Sequence, residues 1–570
     1  MFLGQDRNFD LANYHLYNGF SFLNNKLSID IAAAGVQTYL NPLLDVFFYY
    51  LNTHLNPHFF GFLMGALHSI NIILLLEIII SMLPLAYKFN TYSKILLIFF
   101  AGSFSPNFLA GLGSSMGDNT TSIFVLSALL LILKNWISFE RHDPKMLFIV
   151  FLSGILMGSA SSLKLTNAVF MLSLFLSFFC IKISFKKKLT YLTFFSFGAL
   201  FGLMIFGYFW YFKMWEMFHN PIFPYLSNIF TNSNSTYSNP TLAWLPKGLI
   251  ENIFWPYFFT INYHRVGEGS FHQILWPLFY SLLILFLFFY FYSIVKREKF
   301  SDRFPIPEIH LFLIVYITIS YFIWMRVFSV LRYMISIEIL LPLASYLLFI
   351  CLFKHKDFMA RRVLFFSIVL TLFGGFSSWG HSRWTDPPFN VELPNDLKSE
   401  AIVILAGSSP ITWMASQYPK NISFVKFGPP FNFDNQIRKK ISLKSDKTYV
   451  MFGGFYNWRE DNTRRWSELL HKIGLLKSIK SCKFFTQFIE AINFRGKIYP
   501  IEGSKYACRI GIHERDFIDP NKGNQFFIDD ANRDLTRVGF YLIENSCEKH
   551  SANIGSQNWK YIWCRVQPIN

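Results

Sequence analysis

Charge is scarce in this chain: Asp, Glu, Lys and Arg make up 15% of its 570 residues, against 52% hydrophobic ones. Near-uncharged runs of about 18 residues or more recur, which excludes an ordinary soluble protein and marks a polytopic membrane one. Motifs of nucleotide and metal chemistry are missing too. There is no P-loop, no GxGxxG after a strand, no HExxH and no CxxC, so nucleotide-driven chemistry, a dinucleotide cofactor and a structural zinc lack support. No solenoid period runs through the Phe- and Leu-rich stretches. Acidic residues number 35 against 52 basic ones, but much of that excess sits in short loops beside apolar runs, where it orients helices rather than binding nucleic acid.

The apolar runs predict ten membrane helices, near 59–84, 94–110, 120–137, 146–163, 165–183, 189–211, 273–295, 308–325, 332–353 and 361–379. Lys and Arg crowd every second gap: Lys88 and Lys94; Lys134, Arg141 and Lys145; Lys182 with Lys186, Lys187 and Lys188; Lys296, Arg297, Lys299 and Arg303; Lys354, Lys356, Arg361 and Arg362. These gaps are expected on the cytoplasmic side. The intervening gaps, 1–58, 106–118, the turn at Lys164, 212–272 and 325–332, are poor in basic residues and are expected outside, together with the tail after residue 379. An exported segment 1–58 with no recognisable leader either translocates unaided or follows a helix upstream of it, and the second is the expectation.

Residues 380–570 change character. Short β-type runs, AIVILAG (401–407), ISFVKFG (422–428) and KTYVMFGG (447–454), accompany one helical pattern at 462–479, which predicts an extracytoplasmic α+β domain. Four of the six cysteines fall there, Cys482, Cys508, Cys547 and Cys564. They make up to two disulfides with three possible connectivities, or remain buried thiols.

Polar residues gather in the outward gaps. A helix over 6–18 would put Asp6 and Asp10 at i, i+4 and group Asp10, Tyr14 and Tyr17 on one face, aiming a carboxylate among aromatic rings; the alternative is an amphipathic helix that these acids merely solvate. His15 reads either as a packed residue or as a ligand-facing one. Asp118 begins a helix, where capping is an ordinary role. Lys164 stands between two tightly linked helices, a cation that must snorkel or meet an anion. Arg332 and Tyr333 head a late helix, and Arg grips phosphate bidentately or anchors at an interface. Asn220 opens HNPIFPYLSNIF, whose prolines force a turning segment that is a lid or a stiff connector. At membrane depth His68, Glu77 and Glu338 stand out as candidates by default.

Together, FDLANYHLYNGFSFLNNKLSIDIAAAGVQTYLNPLLD, MGDNTTSIFVLSALL, GSASSLKLTNAVF, NPIFPYLSNIF and the RY pair resemble the bacterial integral-membrane glycosyltransferases of the GT-C superfamily, over roughly residues 5–345. The resemblance implies an α-helical polytopic, GT-C-like transmembrane domain (59–379) behind a first outer loop (1–58), in the bacterial inner membrane with an extracytoplasmic active site. It implies transfer of a sugar from a polyprenyl-phosphate donor to a glycan, lipid or protein acceptor at the outer face. Asp10 would be the catalytic base or acceptor-orienting carboxylate and Asp118 a second acidic group. Lys164 and Arg332 would hold the donor phosphate, with Asp6, Tyr14, His15, Asn220 and Tyr333 completing the substrate site. In that superfamily the acidic loop follows a membrane span. No cofactor is expected; a divalent ion among Asp6, Asp10 and Asp118 is the disfavoured option.

Two other functions share some of these features. A polymerase or ligase of lipid-linked glycans would have the same sidedness and the same outward cations. A transporter is opposed by the lack of paired inverted repeats, the scarcity of mid-membrane charge and the mass placed in outer segments.

Overall fold

The computed structural model describes residues 1–569 except 84–88, 141–142, 231–242, 270, 272, 298–303, 305, 355, 375–377, 429–432, 492–495 and 502–504. Lys88, Arg141, Lys299 and Arg303 of the basic gaps therefore lie outside the described residues. Two compact units emerge: Met1–Pro388 with Gly428–Phe433 and Ile554–Ser556, and Phe389–Phe427 with Asp434–Asn553 and Gln557–Asn570.

The first unit is helical. Five of its helices are long and apolar enough to cross a membrane, Pro57–Met82, Lys145–Leu163, Phe185–Phe218, Leu275–Val295 and Glu308–Val327. Leu331–Glu338 and Leu341–Leu352 make a sixth span if counted as one rod bent by 57°. The bend has a local cause: Pro342 has no N–H to give the Glu338 carbonyl four residues back, and its ring crowds that carbonyl. Ten spans were expected, so the count is corrected downward among the described residues. The run at 94–110 becomes Phe89–Ser103 followed by a separate turn of helix at Pro106–Ala110. The run at 120–137 becomes Asp118–Lys134, 17 residues, or about 26 Å, short of a hydrocarbon core of about 30 Å. Leu165–Cys180 is likewise short, and Asp357–Gly374 carries Asp357, Arg361 and Arg362 near its start.

Helices Lys145–Leu163 and Phe185–Phe218 touch backbone to backbone. A Cβ on Gly158 would stand 2.0 Å from the Ala199 carbonyl oxygen, and one on Gly198 2.1 Å from that of Phe151. Gly154 and Gly202 meet Phe195 and Ile155 in the same way, so each helix contributes a small-xxx-small pair, the arrangement that lets membrane helices approach closely. Phe185–Phe218, at 34 residues, runs beyond the predicted 189–211 at both ends, and its Tyr211 hydroxyl donates to Ser162 Oγ of the neighbouring helix at 3.2 Å.

Two of the three mid-membrane candidates, Glu338 and His68, are absorbed by packing, and the third, Glu77, makes an exposed ion pair. Glu338 is fully buried; its carboxylate accepts from Ser105 Oγ, the Asn107 side chain at 2.5 Å and Gln273 Nε2 at 2.7 Å. Glu77 pairs with Lys134 at 2.9 Å, and His68 Nδ1 accepts from the Gly113 N–H at 3.1 Å.

The second unit contains a sheet. The three β-type runs become Ile402–Leu405, Ser423–Val425 and Thr448–Gly453, all parallel with Ile402–Leu405 central. Tyr561–Pro568 adds antiparallel to Thr448–Gly453 and itself receives Glu548–His550 and Phe540–Leu542. The parallel strands are buried in unbroken runs, as strands covered on both faces must be. The predicted helix 462–479 is instead Trp458–Lys472. It stops because Gly474 takes a left-handed φ of +78°, and the Leu475 N–H turns back to the Leu470 carbonyl at 2.9 Å. Cys482 pairs with Cys508 and Cys547 with Cys564, while Cys180 and Cys351 are free thiols.

Candidate active site

The N-terminal segment departs from the helix expected over 6–18. Gln5–Asp6 is a short strand paired antiparallel with His381–Ser382. Asp6 therefore lies off the helix that carries Asp10. Its carboxylate accepts from the Asn8 side chain at 2.8 and 2.7 Å and from the Ser115 N–H at 2.7 Å, which makes it a buried tie between chain segments. The helix opens at residues 9–10 and passes through a π turn, Leu11–His15, before Leu16–Leu23. One wide turn shifts the facing rule from i, i+4 toward i, i+5, and such turns often sit at functional sites. Tyr14 and His15 follow each other on it, ring centroids 4.0 Å apart. Tyr17 is rotated away from the Asp10 face and donates to Asp30 Oδ2 at 2.8 Å, in a buried cluster with Lys26.

Two ion pairs converge on one aromatic ring. Arg332 Nη1 meets Asp10 Oδ2 at 2.7 Å, and Lys164 Nζ meets Asp118 Oδ1 at 2.5 Å and the Met116 carbonyl at 2.8 Å. The Lys164 ammonium lies 5.3 Å and the Arg332 guanidinium 5.4 Å from the centre of the Tyr333 ring, within cation–π reach. Local chain geometry sets this up. Helix Lys145–Leu163 ends by turning extended at Lys164, and a short helical turn carries Arg332 and Tyr333 into the bent span. The N-cap of Asp118–Lys134 is Gly117, so Asp118 sits one residue inside the helix and its side chain reaches Lys164.

The electrostatics follow from burial and these neighbours. Burial pushes the Asp10 carboxyl up, but the charges of Arg332, His15 and Lys164 outweigh it and hold the group below the usual carboxylate range. Burial lowers the Lys164 ammonium and the like charge of Arg332 lowers it further, against the pull of Asp118. The Tyr14 hydroxyl is raised, first by burial and then by Asp10.

Beside the pairs lies a cavity of about 130 Å³. Lys164, Arg332 and Tyr333 line it with Tyr14, His15 and Asp45, and Trp210 and Tyr211 from the long helix face it as well. Asp10 and Asp118 are not among its lining residues; each stands behind its cation. The segment after Asn220 forms part of the wall through Pro221, Ile222, Phe223 and Tyr225. Asn220 spends its amide on this loop, donating to the Tyr225 carbonyl at 2.8 Å and accepting from the Ile222 N–H at 3.1 Å. The Phe223 ring stacks on Phe218 at 3.8 Å between centroids, so the NPIFP stretch is a packed side of the cavity.

Asp45 escaped sequence reasoning. It lies in the first turn of Leu43–His54, where a helix N-terminus favours an anion, and it is bonded to His15 Nδ1 at 2.5 Å. Burial raises its carboxyl, opposed by His15, Asn18 and Lys164. An acid directly after NPLL, opening an apolar helix beside a His-bearing segment, was the available signal. Asn41 was also missed: its Nδ2 donates to the carbonyls of Ser162 at 3.0 Å and Phe206 at 2.8 Å, pinning the N-terminal segment to both close-packed helices.

Among the described residues no three His, Cys, Asp or Glu side chains converge on a point that would hold a metal ion. Asp6, Asp10 and Asp118 are committed to different partners. No protein-family model, curated protein or solved structure matches the chain.

Proposed function

We propose that this chain is an integral-membrane glycosyltransferase that moves a sugar from a polyprenyl-phosphate donor to a glycan, lipid or protein hydroxyl on the outer face of the membrane. The observation that carries the reading is the pairing of Lys164 with Arg332 at a cavity beside apolar helices, both cations resting on the Tyr333 ring. A phosphate leaving group gathers charge as the sugar departs, and two fixed cations stabilise that charge without nucleotide chemistry. Arg332 offers a planar fork to phosphate oxygens and Lys164 a point charge. Asp10 and Asp118, behind the cations, hold them in place when the cavity is empty. The positive-inside distribution supports an outward-facing site and an outward second unit, and the two disulfides of that unit agree with an oxidising compartment.

The test is binding of undecaprenyl phosphate to the full chain in lipid nanodiscs. The proposal expects saturable binding that falls at least tenfold in Lys164→Met and in Arg332→Met. Equal affinity in both variants and the wild type would refute it.

A further inference from the structure

We propose that His15, rather than Asp10, takes the proton of the acceptor hydroxyl, and that Asp45 positions its ring; this rests on reading the cavity as a glycosyl-transfer site. His15 and Asp45 both line the cavity, and Nδ1 meets Asp45 Oδ1 at 2.5 Å. A carboxylate on Nδ1 selects the tautomer with its proton there, which leaves the lone pair on Nε2. Nε2 is buried and has no hydrogen-bond partner among the described residues, and the His15 side chain is only 8% exposed. Buried ring nitrogens are normally satisfied, so an unpartnered one on a cavity wall is placed for a ligand. Asp10 is poorly placed by comparison. It stands off the cavity wall in an ion pair with Arg332, Nη1 to Oδ2 at 2.7 Å, and the cations around it weaken its hold on a proton.

The chemistry balances without a co-reactant. The acceptor O–H bond breaks, its proton passes to His15 Nε2, and its oxygen forms the new bond to the anomeric carbon. The bond from that carbon to the lipid-phosphate oxygen breaks, and its electron pair leaves on the phosphate beside Lys164 and Arg332. His15 becomes an imidazolium stabilised by the Asp45 carboxylate, and later returns the proton to solvent.

The test uses the full chain in nanodiscs with a panel of undecaprenyl-phosphate-linked hexoses and pentoses, and with undecaprenyl phosphate as a separate binding probe. His15→Asn keeps an amide where Nδ1 bonds Asp45 but has no Nε2; His15→Gln is its counterpart. Both are expected to lower kcat about 100-fold or more, while the donor KM and the undecaprenyl phosphate affinity stay within threefold of wild type. Asp45→Asn is expected to lower kcat about tenfold with the same unchanged KM. A His15 variant with kcat within threefold of wild type overturns the proposal. So does a variant that loses lipid-phosphate affinity along with turnover, since His15 is then structural. Failure of the underlying reading has a different signature, a wild-type chain that neither binds undecaprenyl phosphate nor cleaves any donor, and it removes this proposal with it.

Discussion

Removing the Arg332 guanidinium while leaving Asp10 in place tests whether the two form one buried electrostatic unit. Their charged atoms meet at 2.7 Å and each side chain keeps 16% exposure. Deleting one member of a buried pair strands the other as an uncompensated charge, at about 3–5 kcal/mol; residual exposure puts Arg332→Met at the lower end, about 3 kcal/mol. The double variant Asp10→Asn/Arg332→Met removes both charges and should return to within about 1 kcal/mol of wild type. The pH dependence has a defined sign. Burial raises Asp10, but Arg332, His15 and Lys164 together hold its folded pKa below the ordinary value. In the wild type its contribution is therefore fully present above the unfolded pKa of about 3.9 and lost only as pH falls through the lower folded value. Without Arg332 the burial effect gains on the remaining charges, the folded pKa moves up, and protonation relieves the penalty as pH falls. Unfolding by sodium dodecyl sulfate titration of detergent-solubilised protein should show a deficit for Arg332→Met that is largest at pH 8 and shrinks toward pH 5. A double variant no more stable than the single, or a deficit that does not change with pH, would refute the reasoning.

Gly158→Leu forces the two close-packed helices apart, since a Cβ alone would stand 2.0 Å from the Ala199 carbonyl oxygen; the variant should lose most of its monodisperse yield on size exclusion, whereas Gly65→Leu, where a Cβ meets nothing within 4 Å, should not. Asp6→Ala removes the acceptor of the Ser115 N–H and leaves the Asn8 amide only Ser115 Oγ, and at about 1–3 kcal/mol per stranded donor the thermal midpoint should fall measurably. Cys547→Ser/Cys564→Ser opens a disulfide spanning 17 residues; about 3 kcal/mol of loss is expected, seen as faster limited proteolysis within 389–569 while the helical unit stays intact.

Membrane character and the parallel strands of the second unit were readable from the sequence, because both depend on local hydropathy and period. Span number was not. Hydropathy registers that 120–137 and 165–183 are apolar, but helix length is set by what stops a helix: Gly117 and Asn135 bracket Asp118–Lys134, and Lys164 turns extended ahead of the segment Leu165–Cys180. The small-residue pairs that join Lys145–Leu163 to Phe185–Phe218 stood in plain view as GILMG and GALFG. Of the site, Tyr14, His15, Lys164, Arg332 and Tyr333 meet at the cavity because the fold brings together segments that the sequence reading had grouped by their few basic residues. The grouping of Asp10 with Tyr17 failed because a π turn leaves no periodic trace in so short a segment. Asp45 had only a weak local signal, the acid after NPLL, because its role exists through a side chain 30 positions earlier.

Turnover tests the central claim most directly. The full chain in nanodiscs is given undecaprenyl-phosphate-linked sugars with an acceptor extract, and release of undecaprenyl phosphate is followed in the wild type and in Lys164→Met/Arg332→Met. The account predicts steady release by the wild type and a fall of at least about 1,000-fold in the double variant, the effect of removing two charge-stabilising groups at about 2.7–4 kcal/mol for one such donor. Equal release by both proteins would contradict it, as would sugar uptake into sealed proteoliposomes with the donor left uncleaved.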